Sequence, residues 1–472
     1  MEPDSTAVPL PTVAFAPDTD PVSPSRCYRC PGESDDITDS VHLARLSSFF
    51  HKCRLCQYRS DIVRLAPSLQ KQWSQLLLAP EPTRLFQANG VRGQYLNQLT
   101  RNEASQVAAA FTSTLRDVAE IWRARHPSPL PPSRWLKVVF GHDARPSSPD
   151  LANAAATTLR QHGCELVDLS WSTRPQVDAA LRTSGADGVF YVTGHCSAVG
   201  WNGFDLVGPD GIAWSQGGML DIVEQRFHQP CPRIEREAAP QSSRDAMGET
   251  LAALRGELHG LRPLRVVIET CEPTLEQVLQ FSVPDWPGQI TLRTGGVGGA
   301  RLRASDGVVS SAPTHPKTSG RVAPGISPLT FDSKAKATDV AFRIGEDARQ
   351  CEMWDEFQQP VTDQQLLFGL GELLLDEHPH VDVVLSDALF DRYGCTVERC
   401  GPGYLVFHRG GSHEEQLVRT MHSLNSSLGL DGAGRYWIRR EGHIHCNGLL
   451  TITMILKSLS QSDRAVSEWL KR

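Results

Sequence analysis

The chain has 472 residues, 40% hydrophobic and 21% charged, with a formal net charge of −7. That length suits two to four domains, and the composition is that of a globular protein. The negative balance gives no basic footprint for nucleic acid or for anionic membranes, and no run of about 18 apolar residues offers a membrane span. The acidic, polar start Met1-Glu-Pro-Asp-Ser-Thr lacks the basic and apolar regions of a signal peptide, so a cytoplasmic location is expected.

Residues 1–25, rich in Pro, Asp, Ser and Thr, are expected to form a disordered tail. Twelve cysteines occur, and four of them form two pairs, Cys27-Tyr-Arg-Cys30 and Cys53-Arg-Leu-Cys56. Two Cys-x-x-Cys pairs at this separation predict a zinc ribbon over 26–60, each pair turning two thiolates toward one tetrahedral ion. Four thiolates leave no open coordination position, so a structural zinc is favoured over a catalytic or redox one. The scattered cysteines, such as Cys164 and Cys271, read as small buried hydrophobes. Residues 61–83 follow as connecting helices, with Ile62, Leu65, Leu69, Trp73 and Leu76 near helical spacing.

A glycine-rich turn, Phe86-Gln-Ala-Asn-Gly-Val-Arg-Gly93, carries one arginine, Arg92. Backbone amides and a guanidinium on such a turn suit an anion. A helix over 102–125 and a proline-rich connection lead to a strand at Val138–Phe140 and then Gly141-His-Asp-Ala-Arg-Pro-Ser-Ser148. For Asp143 and Arg145 two readings stand, ligands or a buried structural pair. A helix from Leu151, a strand from Glu165, a Thr173-Arg-Pro175 turn and a helix from Val177 come next. They lead into the stretch Gly188–Leu206. There a buried strand ends in Thr193-Gly-His-Cys-Ser197, and Asn202-Gly203 turns into a second strand. Reactive side chains at such a strand end sit where α/β folds place their chemistry. The strand–helix alternation predicts a mainly parallel sheet with helices on both faces.

Residues 229–262 read as a polar linker or a helix bridging two domains. A second α/β unit opens at Leu264–Ile268. Gly295–Gly299 lacks nucleotide-fingerprint form and is expected to be a loop, as is the long segment 305–327. The strand Asp339–Phe342 runs into Arg343-Ile-Gly-Glu-Asp-Ala-Arg349. A third unit opens at Val381–Leu385 and contains Gly429-Leu-Asp-Gly-Ala-Gly434 and Asn447-Gly-Leu-Leu450.

In order and spacing these motifs resemble those of the α-D-phosphohexomutases, over residues 84–472. The resemblance implies an α/β fold of three consecutive α/β/α domains, at 84–228, 263–376 and 377–472, with 229–262 as linker. The family's fourth domain, which grips the distal phosphate, is expected to have no counterpart in this chain. The resemblance also assigns roles. The phosphoserine position holds His195. The lysine acting as acid/base holds Asp205. The three-aspartate magnesium loop is reduced to Glu346 or Asp347, beside Arg343, and a hard divalent cation needs several anionic oxygens. Arg349 keeps that motif's final arginine. In the sugar loop, Asp431 stands for the glutamate and Ala433 for the serine.

The reaction of that family needs a nucleophile, a metal, an acid/base group and a phosphate clamp. A general acid/base group alone is worth about 10²–10⁴-fold in rate. The expectation is therefore a catalytically inactive relative. It would bind a phosphosugar-like ligand through Arg92, Asp143, Arg145, Arg349 and Asp431, and a protein partner through the zinc ribbon. Two alternatives stand beside it. One is a diverged phosphosugar mutase with His195 as phosphoryl acceptor, imidazole being nucleophilic near neutral pH. The other is a zinc-ribbon scaffold with an empty cleft.

Overall fold

The structure, a computed structural model, describes residues 27–30, 34–54, 56–78, 84–126, 134–195, 197, 200–229, 237–294, 338–375, 379–394, 396–401 and 403–471. The expectations for the tail 1–25, the glycine run 295–299, the loop 305–327 and Cys196 lie outside them. The chain divides into two compact units, Met1–Glu81 and Pro82–Arg472.

In the first unit, β1 (Cys27–Arg29) pairs antiparallel with β2 (Asp36–Thr38). Helix α1 (Asp39–Ser47) starts at Thr38, whose hydroxyl accepts from the Val41 N–H and so caps an otherwise unpaired donor. Helices α2 (His51–Arg54) and α3 (Pro67–Leu78) follow. A small core of Leu46, Cys53, Leu65 and Trp73 joins them, and the Trp73 indole N–H donates to the Arg59 carbonyl at 2.7 Å.

The second unit opens with β3 (Phe86–Gln87) and β4 (Gly90–Gln94), then α4 (Arg101–Arg125), β5 (Leu136–His142), α5 (Ser148–Gln161), β6 (Cys164–Trp171), α6 (Arg174–Ser184), β7 (Gly188–Val192), β8 (Trp201–Val207), α7 (Met219–Phe227), β9 (Gln241–Ser243) and α8 (Ala246–Leu258). The strands form one sheet in the order β3-β4-β8-β7-β5-β6-β9. Pairings among β7, β5, β6 and β9 are parallel, and the β8, β4 and β3 edge is antiparallel. Period-two alternation decides which side chain faces which layer. Leu136, Val138 and Phe140 pack toward Phe111, Leu115 and Leu151, whereas Val139 packs with Val177, Leu181 and Val189. Helix α4 begins in a capping box, with Thr100 and Glu103 satisfying each other's end of the helix.

A second sheet comprises β10 (Arg265–Thr270), β11 (Gln289–Thr294), β12 (Val340–Ile344) and β13 (Cys351–Trp354) in the order β11-β10-β12-β13, with α9 (Pro273–Ser282) and α10 (Asp363–Leu375). A third contains β14 (His380–Leu385), α11 (Asp387–Tyr393), β15 (Val397–Cys400), β16 (Gly403–Arg409), α12 (Glu414–Ser423), β17 (Leu428–Leu430), β18 (Tyr436–Arg440), β19 (His443–Cys446), α13 (Gly448–Ser460) and α14 (Val466–Trp469). Its order is β15-β16-β14-β17-β18-β19. These two sheets share one continuous apolar core, with Ile268, Phe342, Val383, Leu405 and Ile455 in the same cluster.

The stretch 229–262 forms more than a connection. Residues 241–243 add β9 to the edge of the first sheet, and α8 sends Ala246 into that sheet's core and Leu254 and Leu258 into the core of the other two. Asn447 caps α13, its Oδ1 accepting from the N–H groups of Leu449 and Leu450. No described helix is long and apolar enough to cross a membrane.

Candidate functional site

Four loops follow the carboxyl ends of parallel strands: one from 143 to 147 after β5, one opening at 193–195 after β7, one from 345 to 349 after β12 and one from 431 to 435 after β17. That end of an open α/β sheet is where ligand sites form. Of the residues singled out in the cleft motifs, Arg92 lies on β4, Asp205 on β8 and Arg343 on β12, and Asp143, Arg145, His195, Glu346, Asp347, Arg349 and Asp431 lie on these loops. The loops also meet. The Arg145 guanidinium donates to Glu346 of the second sheet's loop, and the field at His195 includes Asp347 and Arg435 from the second and third.

The loop after β7 is held by Asp143. Its Oδ1 accepts from the Arg145 N–H at 3.1 Å and from the Ser148 hydroxyl. Its Oδ2 accepts from the Thr193 hydroxyl at 2.9 Å and the Gly194 N–H at 2.8 Å. A carboxylate with four such donors is an anchor for the loop. Its Oδ2 also lies 3.7 Å from the Arg145 Nε. Asn202 ties the far side, its Nδ2 donating to Ser147 at 2.8 Å and Ser148 at 2.9 Å.

The proton count at Thr193 fixes the state of His195. A hydroxyl has one proton and two lone pairs. The proton goes to Asp143, an obligate acceptor. One lone pair takes the His195 backbone N–H at 3.1 Å, and the other faces His195 Nδ1 at 2.9 Å. Nδ1 must therefore carry the ring hydrogen, which leaves the lone pair on Nε2. Burial lowers the imidazole pKa to about 4, so the ring is neutral at pH 7. His195 is only 9% exposed.

Asp205 lies beside it, its Oδ2 3.8 Å from His195 Nδ1. Arg92 donates to Asp205 Oδ1 at 2.6 Å, and Arg174 donates to Oδ2 at 3.0 Å. Burial alone would raise this carboxyl's pKa, but the two guanidiniums hold it well below the usual carboxylate range. Arg92 is also closed onto the carbonyls of Val91 and Phe204 at 2.9 and 3.2 Å. Arg174 holds Asp178 at 2.9 Å. All three charged groups of the triad are buried, at 7%, 4% and 3% exposure for Arg92, Asp205 and Arg174.

The remaining cations of the cleft are matched in the same way. Arg349 grips Glu414 through two bonds, at 3.1 and 2.5 Å. Arg435 donates to Asp347 Oδ2 at 2.8 Å and lies 3.4 Å from Asp431. Asp431 also accepts from the Ala433 N–H at 2.7 Å, and burial raises its pKa. Arg145 reaches the carbonyls of Trp201 and Ser197 besides Glu346. Each arginine named for a ligand from sequence thus stands on a carboxylate of the chain itself.

The magnesium motif does not offer a cation site. Asp347 Oδ1 is taken by the N–H groups of Arg349 and Gln350, and its Oδ2 by Arg435. Glu346 faces Arg145, and Arg343, on β12, is paired with Glu269 at 2.8 Å. Hard cations need several free anionic oxygens, and the oxygens present already hold arginines.

In the first unit, Cys30, Cys53 and Cys56 are buried and Cys27 is exposed. The Cys56 N–H donates to the Cys53 carbonyl at 3.3 Å, closing that pair into a turn. Among the described residues no group of three or more His, Cys, Asp or Glu side chains is arranged to hold a metal ion. Zinc therefore rests on the cysteine spacing alone.

Sequence reasoning missed Arg174, Arg435 and Glu414. Arg174 stands inside Thr173-Arg-Pro175, read only as a turn. Arg435 directly follows the sugar-loop motif. The available signal was Asp205 itself, since an acid on a buried strand demands a counter-ion.

Comparison with known proteins agrees with these motifs. Residues 83–229 match the family model of phosphoglucomutase/phosphomannomutase, alpha/beta/alpha domain I. A phosphoglucosamine mutase from Parafrankia sp. is 28% identical over 416 residues, covering 82% of each chain. A phosphomannomutase from Salmonella montevideo is 23% identical over 350 residues, 71% of this chain and 69% of that one. A relative from Methanosphaera stadtmanae matches a shorter stretch, 26% identical over 191 residues, with this chain spanning only 38% of its length. A phosphoglucomutase/phosphomannomutase family protein from Burkholderia thailandensis has the same fold, with a TM-score of 0.62 and 18% identity over 82% of this chain and 78% of that one. With the cleft motifs in order along three successive sheets, the chain is similar in sequence and in fold to the α-D-phosphohexomutases, and its residues 83–229 match their first-domain model.

Proposed function

We propose that this phosphohexomutase-family protein no longer carries out phosphoryl transfer between sugar positions and acts by binding. The observation that carries this reading is the self-neutralised cleft. Moving a phosphoryl group requires positioning and charge stabilisation by free cations or a metal. Here Arg92, Arg145, Arg174, Arg349 and Arg435 already hold Asp205, Glu346, Asp178, Glu414 and Asp347. A buried acid at the lysine position, kept ionised by two arginines, donates no proton near neutral pH. A phosphosugar-like ligand would have to displace an internal carboxylate. Glu346, 38% exposed at its side chain, is the one most readily displaced. Structural zinc on 26–60 and a protein partner for that segment belong to the same proposal, on the strength of the spacing.

The test is a mutase assay on glucose-1-phosphate, mannose-1-phosphate and glucosamine-1-phosphate with magnesium and a sugar bisphosphate. No turnover above the blank is expected. Turnover that disappears in His195→Ala overturns the proposal.

One observation favours a second reading, His195 as phosphoryl acceptor. The Asp143–Thr193 pair sets a neutral ring with its lone pair on Nε2, the form a nucleophile needs. That reading predicts acid-labile, base-stable phosphate on His195 after incubation with a sugar bisphosphate. Intact mass without the adduct excludes it. A third reading, a scaffold with an empty cleft, is separated by a phosphosugar thermal-shift screen. A bound ligand should stabilise the protein by about 2.7 kcal/mol at 100-fold excess over its dissociation constant.

A further inference from the structure

Outside the cleft, the first unit contains a pocket of about 480 Å³ lined by Cys27, Tyr28, Gln57, Tyr58, Ser60 and Asp61. Its aromatic wall is layered. Tyr28 stacks on His42 at 3.9 Å, and Tyr58 stands perpendicular to both, at 5.1 and 6.2 Å. Tyr58 is half-buried, so part of its ring is open to solvent.

The charges around this wall do not balance. The Tyr28 hydroxyl faces two carboxylates, Asp61 at 2.9 Å and Asp39 at 3.2 Å, and has one proton to give. Asp39 is further paired with Arg64. Asp61 has no lysine or arginine partner among the described residues. Its nearest basic atom is His42 Nε2 at 3.7 Å. His42 is buried, and both its ring nitrogens lack a hydrogen-bond partner. Burial lowers its pKa from the ordinary value, which favours the neutral ring. Asp61 is thus a carboxylate without a compensating cation, 34% exposed at its side chain, opening onto an aromatic-walled pocket.

We propose that this pocket binds a cationic side chain, lysine or arginine, presented by a basic segment of a protein partner. Asp61 supplies the ion pair, and the Tyr58 ring supplies a cation–π contact. The proposal is independent of the cleft reading, and its failure would leave that reading untouched.

The full chain is titrated with Nα-acetylarginine amide and with its uncharged isostere Nα-acetylcitrulline amide, followed by saturation-transfer NMR. The arginine amide should bind in the millimolar range, and the citrulline amide about tenfold more weakly or worse. Asp61→Asn keeps an acceptor for the Tyr28 hydroxyl and should weaken arginine binding by about fivefold or more. Tyr58→Leu should weaken it several-fold, while Tyr58→Phe, which retains the ring, should not. Equal binding of the two amides, an unchanged affinity in Asp61→Asn, or no binding of either amide overturns the proposal.

Discussion

Asp205→Asn removes the one carboxylate that two buried guanidiniums share. Asp205 and Arg174 are no more than 5% exposed at their side chains, and Arg92 is 8% exposed. Taking away one partner of a buried ion pair costs about 3–5 kcal/mol, because the remaining charge is left uncompensated. Two features place this case at the lower end. Arg174 keeps Asp178, and Arg92 keeps the Val91 and Phe204 carbonyls. An asparagine also turns one N–H group toward a guanidinium, donor against donor. The expected loss is about 3 kcal/mol, which lowers Tm by about 6 °C at roughly 2 °C per kcal/mol in a large unit. Differential scanning calorimetry of the full chain at pH 7 reads it. Asp205→Lys, the residue of the family motif, should cost more, since it adds a third cation to the cluster. The pH dependence has a definite sign. The folded pKa is depressed, so this stabilisation is present above the unfolded Asp value of about 3.9 and is lost as pH falls through the folded value. The gap between wild type and Asp205→Asn should stay level from pH 5 to 8 and narrow below about pH 4. A loss under about 0.5 kcal/mol, or a gap that widens in acid, refutes the ion-pair argument.

Glu272 gives the opposite pH signature. Burial raises its pKa to about 7, and its Oε1 has no hydrogen-bond partner. For this raised carboxyl the stabilisation is full below the unfolded Glu value of about 4.3 and fades as pH rises toward 7. Glu272→Gln should thus be more stable than wild type at pH 8, by about 2–3 kcal/mol, and comparable at pH 4.5, as read by thermal melts at the two values. The zinc expectation is checked by metal analysis of chain purified without chelator. About one zinc per chain is expected, lost in Cys27→Ser with Cys53→Ser, and metal-free protein with intact thiols would exclude it. Arg435→Leu should leave Asp347 buried without its main counter-ion and cost about 3 kcal/mol in calorimetry. If the loss is within error, Asp347 is neutral or solvated there.

The motif loops were legible because each is a string of small, polar and turn-forming residues directly after an apolar strand, a pattern set by local chemistry. The parallel strands were legible for the same reason. β5 and β7 are near-continuous apolar runs, as buried parallel strands are. What escaped depends on pairing across the chain. Residues 241–243, Gln-Ser-Ser, form an edge strand without apolar alternation, so the strand exists only because β6 offers free backbone groups. From the sequence, Arg92 on its glycine turn reads either as an anion ligand or as a surface or structural arginine. In the fold, β4 pairs with β8, and Gly203 lies opposite Arg92. A Cβ on Gly203 would come within 1.8 Å of the Val91 carbonyl. Only glycine allows so close an approach, and that approach places Arg92 where its guanidinium reaches Asp205 rather than a phosphate.

The same pairing changes what Asp205 means. As a lone substitution, an acid in place of a lysine reads as decay of an active site. Decay alone, however, would leave a buried carboxylate facing whatever lay nearby, at a cost of several kcal/mol. Instead Asp205 has one guanidinium on each oxygen, contributed by β4, which pairs with β8, and by the first turn of α6, which packs on β5 and β7. Arg349 with Glu414 and Arg435 with Asp347 repeat the arrangement between the second and third sheets. The charged residues of the cleft neutralise each other. A single reversion such as Asp205→Lys therefore cannot restore the family's electrostatics. It would require freeing Arg92 and Arg174 from Asp205 at the same time, because the charge of the cleft is set by the pairs and not by any one motif position.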